Sequence, residues 1–284
     1  MQRRDFIQHS SLAALGTLAF PNELLELKKV KKVGLQLYTV RDDMAKDPMT
    51  TLRKVAQIGY DHVELASYSD GKVYGKTPAE FKKMLTDLGL VTYSSHIGLD
   101  ILRKGWEKAV ADAVVLGQKY VVCPYLQENE RKSMDQYKKL IELLNKCGET
   151  AQKAGLQLAY HNHNFEFDTL EGQIPYDVML KECDADLVKM ELDIYWLRRA
   201  GRDPITYFKN NPGRFELWHV KDMADTPEKE FSEVGNGVID WKPIFKASKT
   251  AGMHYFFVEQ DATKNHKPLE SIEISYKYLK GLRY

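Results

Sequence analysis

The chain has 284 residues, 43% of them hydrophobic, with 41 basic and 40 acidic side chains and a formal net charge of +1. That length supports one large core but not two ordinary enzyme domains with linkers, and the balanced charge, with no basic run carrying interleaved aromatics, argues against a nucleic-acid-binding face. Cys123, Cys147 and Cys183 are odd in number and widely spaced, so they read as core filling and not as a disulfide framework or a thiolate metal ring.

Residues 1–30 stand apart. Arg3 and Arg4 precede Phe6 and a short apolar run from Leu12 to Phe20, too short to span a bilayer as a helix. The segment resembles a twin-arginine export signal, which carries folded proteins across the bacterial inner membrane. The expectation is a signal and linker over 1–30, a single catalytic domain over 31–284, and a periplasmic protein without stable membrane association.

From Lys31 onward a short apolar run, a polar loop, an amphipathic helix and a Gly or Pro stop recur in order. Val33–Tyr38 leads to a helix over Pro48–Ile58, stopped by Gly59. His62–Ser67 precedes a helix with Thr77 as N-cap, Pro78 at the first helical position and Glu80 at the capping-box spacing. Val91–His96 leads to a helix stopped by Gly117, and Tyr120–Leu126 to a long helix through Asp135–Ala154. Leu156–His163, Val188–Ile194, Phe215–Lys221 and Tyr255–Gln260 open the last four units, and the closing helix spans Pro268–Leu282. Alternating strands and helices imply a parallel sheet covered by helices, and eight units in about 250 residues match a closed (β/α)8 TIM barrel. The first turn, "QLYTVRDDM", lacks the glycines of a doubly wound nucleotide-binding sheet.

Chemistry in such a barrel sits where strands end, and polar residues converge there. Gln36, Tyr38 and Arg41 follow the first strand, Glu64 closes the second and His96 ends the third. His161, Asn162, His163 and Glu166 follow the fifth; Glu191 and Asp193 end the sixth; His219, Lys221 and Asp222 end the seventh; Glu259, Gln260 and Asp261 end the eighth. Carboxylates and imidazoles without thiolates suit Mn²⁺, Mg²⁺, Co²⁺ or Zn²⁺. Glu191 and Asp193 are two apart and face the same way. One can be a ligand and the other a deeper partner, or both can line the barrel; Asp193, nearer the end, is the ligand choice.

Four segments in order, "LQLAYHNHNFEF", "KMELDIYW", "LWHVKDM" and "YFFVEQD", resemble the xylose isomerase-like TIM-barrel superfamily of sugar isomerases and epimerases, in a branch marked by Tyr-His-Asn-His. The resemblance covers the chain from Lys32 to its end. It implies a metal held by an acidic residue after strand five, an Asp after six, a His after seven and a Glu after eight, here Glu166, Asp193, His219 and Glu259. It also implies a sugar or keto-sugar substrate.

The fifth strand departs from the commoner pattern, placing His161, Asn162 and His163 where ketose epimerases carry a glutamate. Glu166 reaches the mouth only if the loop folds back. The expected chemistry is proton abstraction next to a carbonyl, with a divalent metal stabilising the enediolate. His161 or His163 is the base, and Glu166 and Glu259 are the catalytic carboxylates. Gln36, Tyr38 and Trp196 are expected substrate contacts, His96, Glu64 and Lys221 are substrate contacts or a second acid, and Tyr38, Tyr125, Tyr195 and Trp196 can stack on a sugar ring. An isomerase or epimerase is the main expectation. The alternative is a lyase acting on 3-keto-glycosides or an inosose-type dehydratase, with an abasic-site endonuclease-like enzyme or a non-catalytic sugar-binding barrel further off. A homo-oligomer is compatible with the sequence.

Overall fold

The computed structural model describes residues 27–284, so the twin-arginine-like run lies outside the described residues. Ten strands are formed: β1 (Gly34–Gln36), β2 (His62–Leu65), β3 (Val91–Ser95), β4 (Tyr120–Cys123), β5 (Gln157–His161), β6 (Val188–Asp193), β7 (Leu217–Val220), β8 (Asp222–Met223), β9 (Phe231–Ser232) and β10 (Tyr255–Val258). Eight of them make one sheet in the order β3-β2-β1-β10-β7-β6-β5-β4. All pairings within it are parallel. The sheet closes through a parallel bridge between His96 and Val122, with Ile97 N donating to Val122 O at 2.8 Å and Lys119 N to Tyr93 O at 2.9 Å. The eight-fold barrel expected from the repeat is therefore formed, with β10 as its eighth strand.

The helices are α1 (Arg41–Lys46), α2 (Pro48–Ile58), α3 (Pro78–Asp87), α4 (Leu99–Lys104), α5 (Trp106–Leu116), α6 (Met134–Lys153), α7 (Pro175–Glu182), α8 (Ile194–Arg199), α9 (Pro204–Asn210), α10 (Trp241–Lys246), α11 (Ser248–Ala251) and α12 (Pro268–Gly281). The capping box on α3 forms as its spacing predicts: Thr77 Oγ1 accepts from Glu80 N at 3.3 Å and Glu80 Oε2 from Thr77 N at 2.8 Å. Three features go beyond the repeat. Gly105 divides the third helical segment into α4 and α5. Short α8 follows β6 directly, α1 follows β1 after a 3₁₀ turn over Leu37–Val40, and β8 and β9 form an antiparallel ribbon above β7. Lys28 and Tyr284 also exchange backbone hydrogen bonds at 2.9 and 3.0 Å.

Period-two alternation sorts the strand residues into two cores. The outward series, with Val121, Leu158, Tyr160, Leu192 and Trp218, packs into the large core beneath the helices. The inward series, with Val122, Ala159, Leu217 and Phe257, fills the barrel interior with Tyr120. At Gly34 a Cβ would collide with the His62 ring and the carbonyl of Phe256, so only glycine fits this inward position. Continuing the inward series two residues upward, Ala159 leads to His161, Leu217 to His219 and Phe257 to Glu259. The apolar filling of the barrel thus gives way to polar residues at its C-terminal mouth. All three cysteines are buried and free. No helix among the described residues is long and apolar enough to cross a membrane.

Candidate metal centre at the barrel mouth

His161, Asp193, His219 and Glu259 converge so that one ligand atom from each lies within 4.8 Å of the others. His219 Nδ1 is 2.9 Å from Glu259 Oε2 and 3.8 Å from Asp193 Oδ2, and His161 Nε2 is 3.4 Å from Asp193 Oδ2. Each side chain is held from behind. Asp193 caps α8, its Oδ1 accepting from Trp196 N at 2.8 Å, which leaves Oδ2 facing the cluster. Asn162 Oδ1 accepts from Asp193 N at 3.1 Å, clamping the ends of β5 and β6 together. His161 Nδ1 lies 3.3 Å from the carbonyl of Pro124. Donation there leaves the Nε2 lone pair directed inward.

The donor set fits a divalent cation on two counts. His161 Nε2 and Asp193 Oδ2 are buried with no hydrogen-bond partner, although buried polar atoms are ordinarily satisfied. Lys221 Nζ approaches Asp193 Oδ2 at 2.9 Å as an ion pair without hydrogen-bond geometry. Two imidazoles and two carboxylates also match Mn²⁺, Co²⁺ or Zn²⁺. Burial, then the charge of His219, pushes His161 down to about 4, so its ring is neutral and able to ligate. Burial disfavours charge on His219, but the Glu191 and Glu259 carboxylates outweigh it and hold its pKa well above the ordinary value.

A second group, Glu64, His96, Glu191 and His219, lies against the first and shares His219. Glu64 Oε2 accepts from Gln36 Nε2 at 2.7 Å and lies 2.7 Å from His219 Nε2. The two nitrogens of His219 therefore face different carboxylates, Glu259 and Glu64. His96 Nε2 is 2.8 Å from Glu191 Oε2 and 3.3 Å from Glu64 Oε2. Burial works against a charge on His96, yet these carboxylates lift it to about 9. Lys221 is fully buried among Asp193 (2.9 Å), Glu259 (2.7 Å) and Asp261 (2.6 Å). Its ammonium is spent on these carboxylates and is not free for the substrate contact expected of it.

The structure corrects the sequence expectation at Glu166. Its residue range, Phe165–Phe167, is a 3₁₀ turn folded back behind β5. There Glu166 Oε1 accepts from Tyr160 OH at 2.7 Å and Oε2 from His163 N at 2.8 Å. Tyr160 belongs to the outward series, so its partner carboxylate lies on the helix side and joins neither ligand group. Burial raises the Glu166 carboxyl to about 7, with both hydrogen bonds opposing. His161 occupies the place in the cluster that was expected of Glu166. Gln36 is likewise no substrate contact: it is fully buried beneath Glu64. Glu64, also buried, contacts His219 and His96 instead of the mouth. Trp196 packs against His163 and Phe231 with ring centroids at 5.5 and 5.6 Å.

A cavity of about 430 Å³ opens onto the cluster, lined by Tyr38, Tyr68, His96, Tyr125, His163 and Asp261, among others. Tyr68 was not singled out by sequence; its place on the loop after the second strand was the available signal. His163 stacks on Phe165 at 5.4 Å and meets Tyr125 edge-on at 5.0 Å. Burial, then the charges of His161 and Lys221, pushes His163 down to about 2, which keeps its ring neutral.

Comparison with known proteins agrees with this architecture. The chain is 25% identical to an inosose dehydratase of Lacticaseibacillus casei over 87% of its own length and 96% of that protein's. A solved structure described as a sugar phosphate isomerase/epimerase from Parabacteroides distasonis superposes with a TM-score of 0.78 at 28% identity, covering 88% of this chain and 97% of that one. The structure of an IolI protein with a bound zinc atom shares the fold, with a TM-score of 0.69 at 17% identity over 87% and 96% of the two chains. The family model for the xylose isomerase-like TIM barrel matches residues 52–282, and the chain belongs to that family.

Proposed function

We propose that this chain is a divalent-metal-dependent lyase that dehydrates a cyclic keto-polyol of the inosose type, with His161, Asp193, His219 and Glu259 as metal ligands. The observation that carries the proposal is the replacement of the expected fifth-strand carboxylate by a neutral imidazole, on a chain whose full-length relatives are named inosose dehydratases. A cation bound there supplies Lewis acidity to a substrate carbonyl and its neighbouring hydroxyl.

The residues around it divide the proton work. His163 lines the cavity with an unprotonated ring and is assigned as the base that takes the proton next to the carbonyl. His96 also lines the cavity and holds a proton against Glu191 and Glu64, so it serves as the acid for the departing hydroxyl. The C–H bond breaks, its electron pair forms the C=C bond, the C–O bond breaks and water leaves. Lys221 holds Asp193, Glu259 and Asp261 in register through Asp193 Oδ2, Glu259 Oε2 and Asp261 Oδ2.

Isomerisation or epimerisation is the second reading, favoured by the 28% identity to the protein described as a sugar phosphate isomerase/epimerase. It shares the first proton transfer and returns the proton to carbon. Incubating the metal-loaded protein with an inosose in D₂O separates the two readings. Dehydration is expected to give an unsaturated or dione product, abolished by a chelator; recovery of a deuterated isomer with the skeleton intact would favour isomerisation instead.

The Arg3-Arg4 segment further supports export in the folded state and action in the periplasm. Fractionation of cells expressing the full chain should place it in the periplasm, and Arg3→Lys with Arg4→Lys should retain it in the cytoplasm. Equal export of both forms would refute the assignment.

A further inference from the structure

We infer that the mouth is built for an uncharged ring, a cyclic polyol or keto-sugar carrying no phosphate or carboxylate. This deepens, and rests on, the proposed reading of the site as one for a keto-polyol. Neither lysine nor arginine lines the 430 Å³ cavity, whereas Glu259 and Asp261 do.

Three cations around the mouth are committed to other partners. Lys221 is enclosed by three carboxylates. Arg41 donates through Nη1 to the carbonyl of Tyr38 and through Nη2 to that of Asp261, both at 2.9 Å, with its guanidinium 4.2 Å from the centre of the Tyr38 ring. Arg131 lies 3.6 Å over Phe165, a ring removed from His163, and does not line the cavity.

Backbone donors are committed as well. In (β/α)8 barrels a phosphate commonly binds at the loops after the seventh and eighth strands. Here the loop after β7 turns its amides on its own carboxylate: Asp222 accepts from Met223 N at 2.8 Å, Gly235 N at 2.8 Å and Ile239 N at 3.1 Å, and from Trp241 Nε1 at 2.9 Å. After β10, Glu259 N donates to Val220 O at 3.3 Å and Gln260 N to Thr39 Oγ1 at 2.9 Å. These amides are spent within the fold, and Asp261 adds a negative charge at that rim.

What the mouth does offer suits a neutral ring. Tyr38 and Tyr125 line the cavity and are 40% and 38% exposed, which leaves them accessible to the C–H face of a pyranose or cyclitol. The imidazoles of His96 and His163 and the carboxylates of Glu259 and Asp261 match hydroxyl groups.

The test is calorimetric binding to the metal-loaded full chain of two matched pairs, D-fructose with D-fructose 6-phosphate and myo-inositol with myo-inositol 1-phosphate, at fixed ionic strength. The neutral member of each pair is expected to bind at least ~10-fold more tightly. A Tyr125→Arg variant, which adds a guanidinium at an exposed lining position, is expected to narrow that gap by ~5-fold or more. Equal or tighter binding of the phosphorylated members overturns the inference alone, leaving the metal-dependent ketone chemistry intact. Binding of neither class at millimolar concentration overturns both the inference and the keto-polyol reading.

Discussion

Replacing Lys221 with methionine is expected to destabilise the protein by about 3–5 kcal/mol, the scale on which one partner is lost from a buried charge pair. Methionine fills most of the volume but leaves Asp193, Glu259 and Asp261 facing one another without the ammonium they surround at 2.6–2.9 Å. At roughly 2–4 °C per kcal/mol for a chain of this size, the melting temperature should drop by about 6–20 °C. Adding Asp261→Asn should recover part of the loss, because it removes one of the orphaned charges, and the double-mutant cycle would report their coupling. A fall of under about 3 °C for Lys221→Met would mean that the lysine does not clamp the carboxylates.

The second large effect concerns the fifth strand. His161→Ala is expected to weaken metal binding by ~100-fold or more, on the upper side of the loss seen when even outer partners of a ligand are removed. Glu166→Gln is expected to leave affinity within a factor of a few, since Glu166 spends its oxygens on Tyr160 OH and His163 N. The glutamine keeps an acceptor for Tyr160 but presents an amide to the His163 N–H, so its cost should appear in stability. Equilibrium titration with Mn²⁺ or Co²⁺ reads both variants. The reverse ranking would return Glu166 to the metal shell.

Most of the barrel was legible because its signals are local. Thr77, Pro78 and Glu80 state a helix start within four residues, and the Gly59 and Gly117 stops need only a left-handed backbone. The convergence of Asp193, His219 and Glu259 was legible too, since strand ends in a closed barrel all meet at one mouth. Glu166 was not, because strand parity stops at His161 and a 3₁₀ turn carries the next residues behind the sheet. The clue lay in Tyr160, whose outward facing makes it a natural partner for a carboxylate on the helix side. Lys221 and Asp261 were both visible at strand ends, but their pairing across 40 residues depends on the approach of β7 and β10. Depth was likewise hidden: Gln36 and Glu64 are fully buried beside the His161, Asp193, His219 and Glu259 cluster, where Glu64 Oε2 meets His219 Nε2.

The most direct test of the His161, Asp193, His219 and Glu259 centre is X-ray absorption of the wild-type protein loaded with one equivalent of Co²⁺ or Zn²⁺. Two imidazole nitrogens are predicted in the first coordination shell, falling to one in His161→Ala and staying at two in Glu166→Gln. A shell with a single imidazole in the wild type, or one that loses an oxygen ligand in Glu166→Gln, would contradict that assignment.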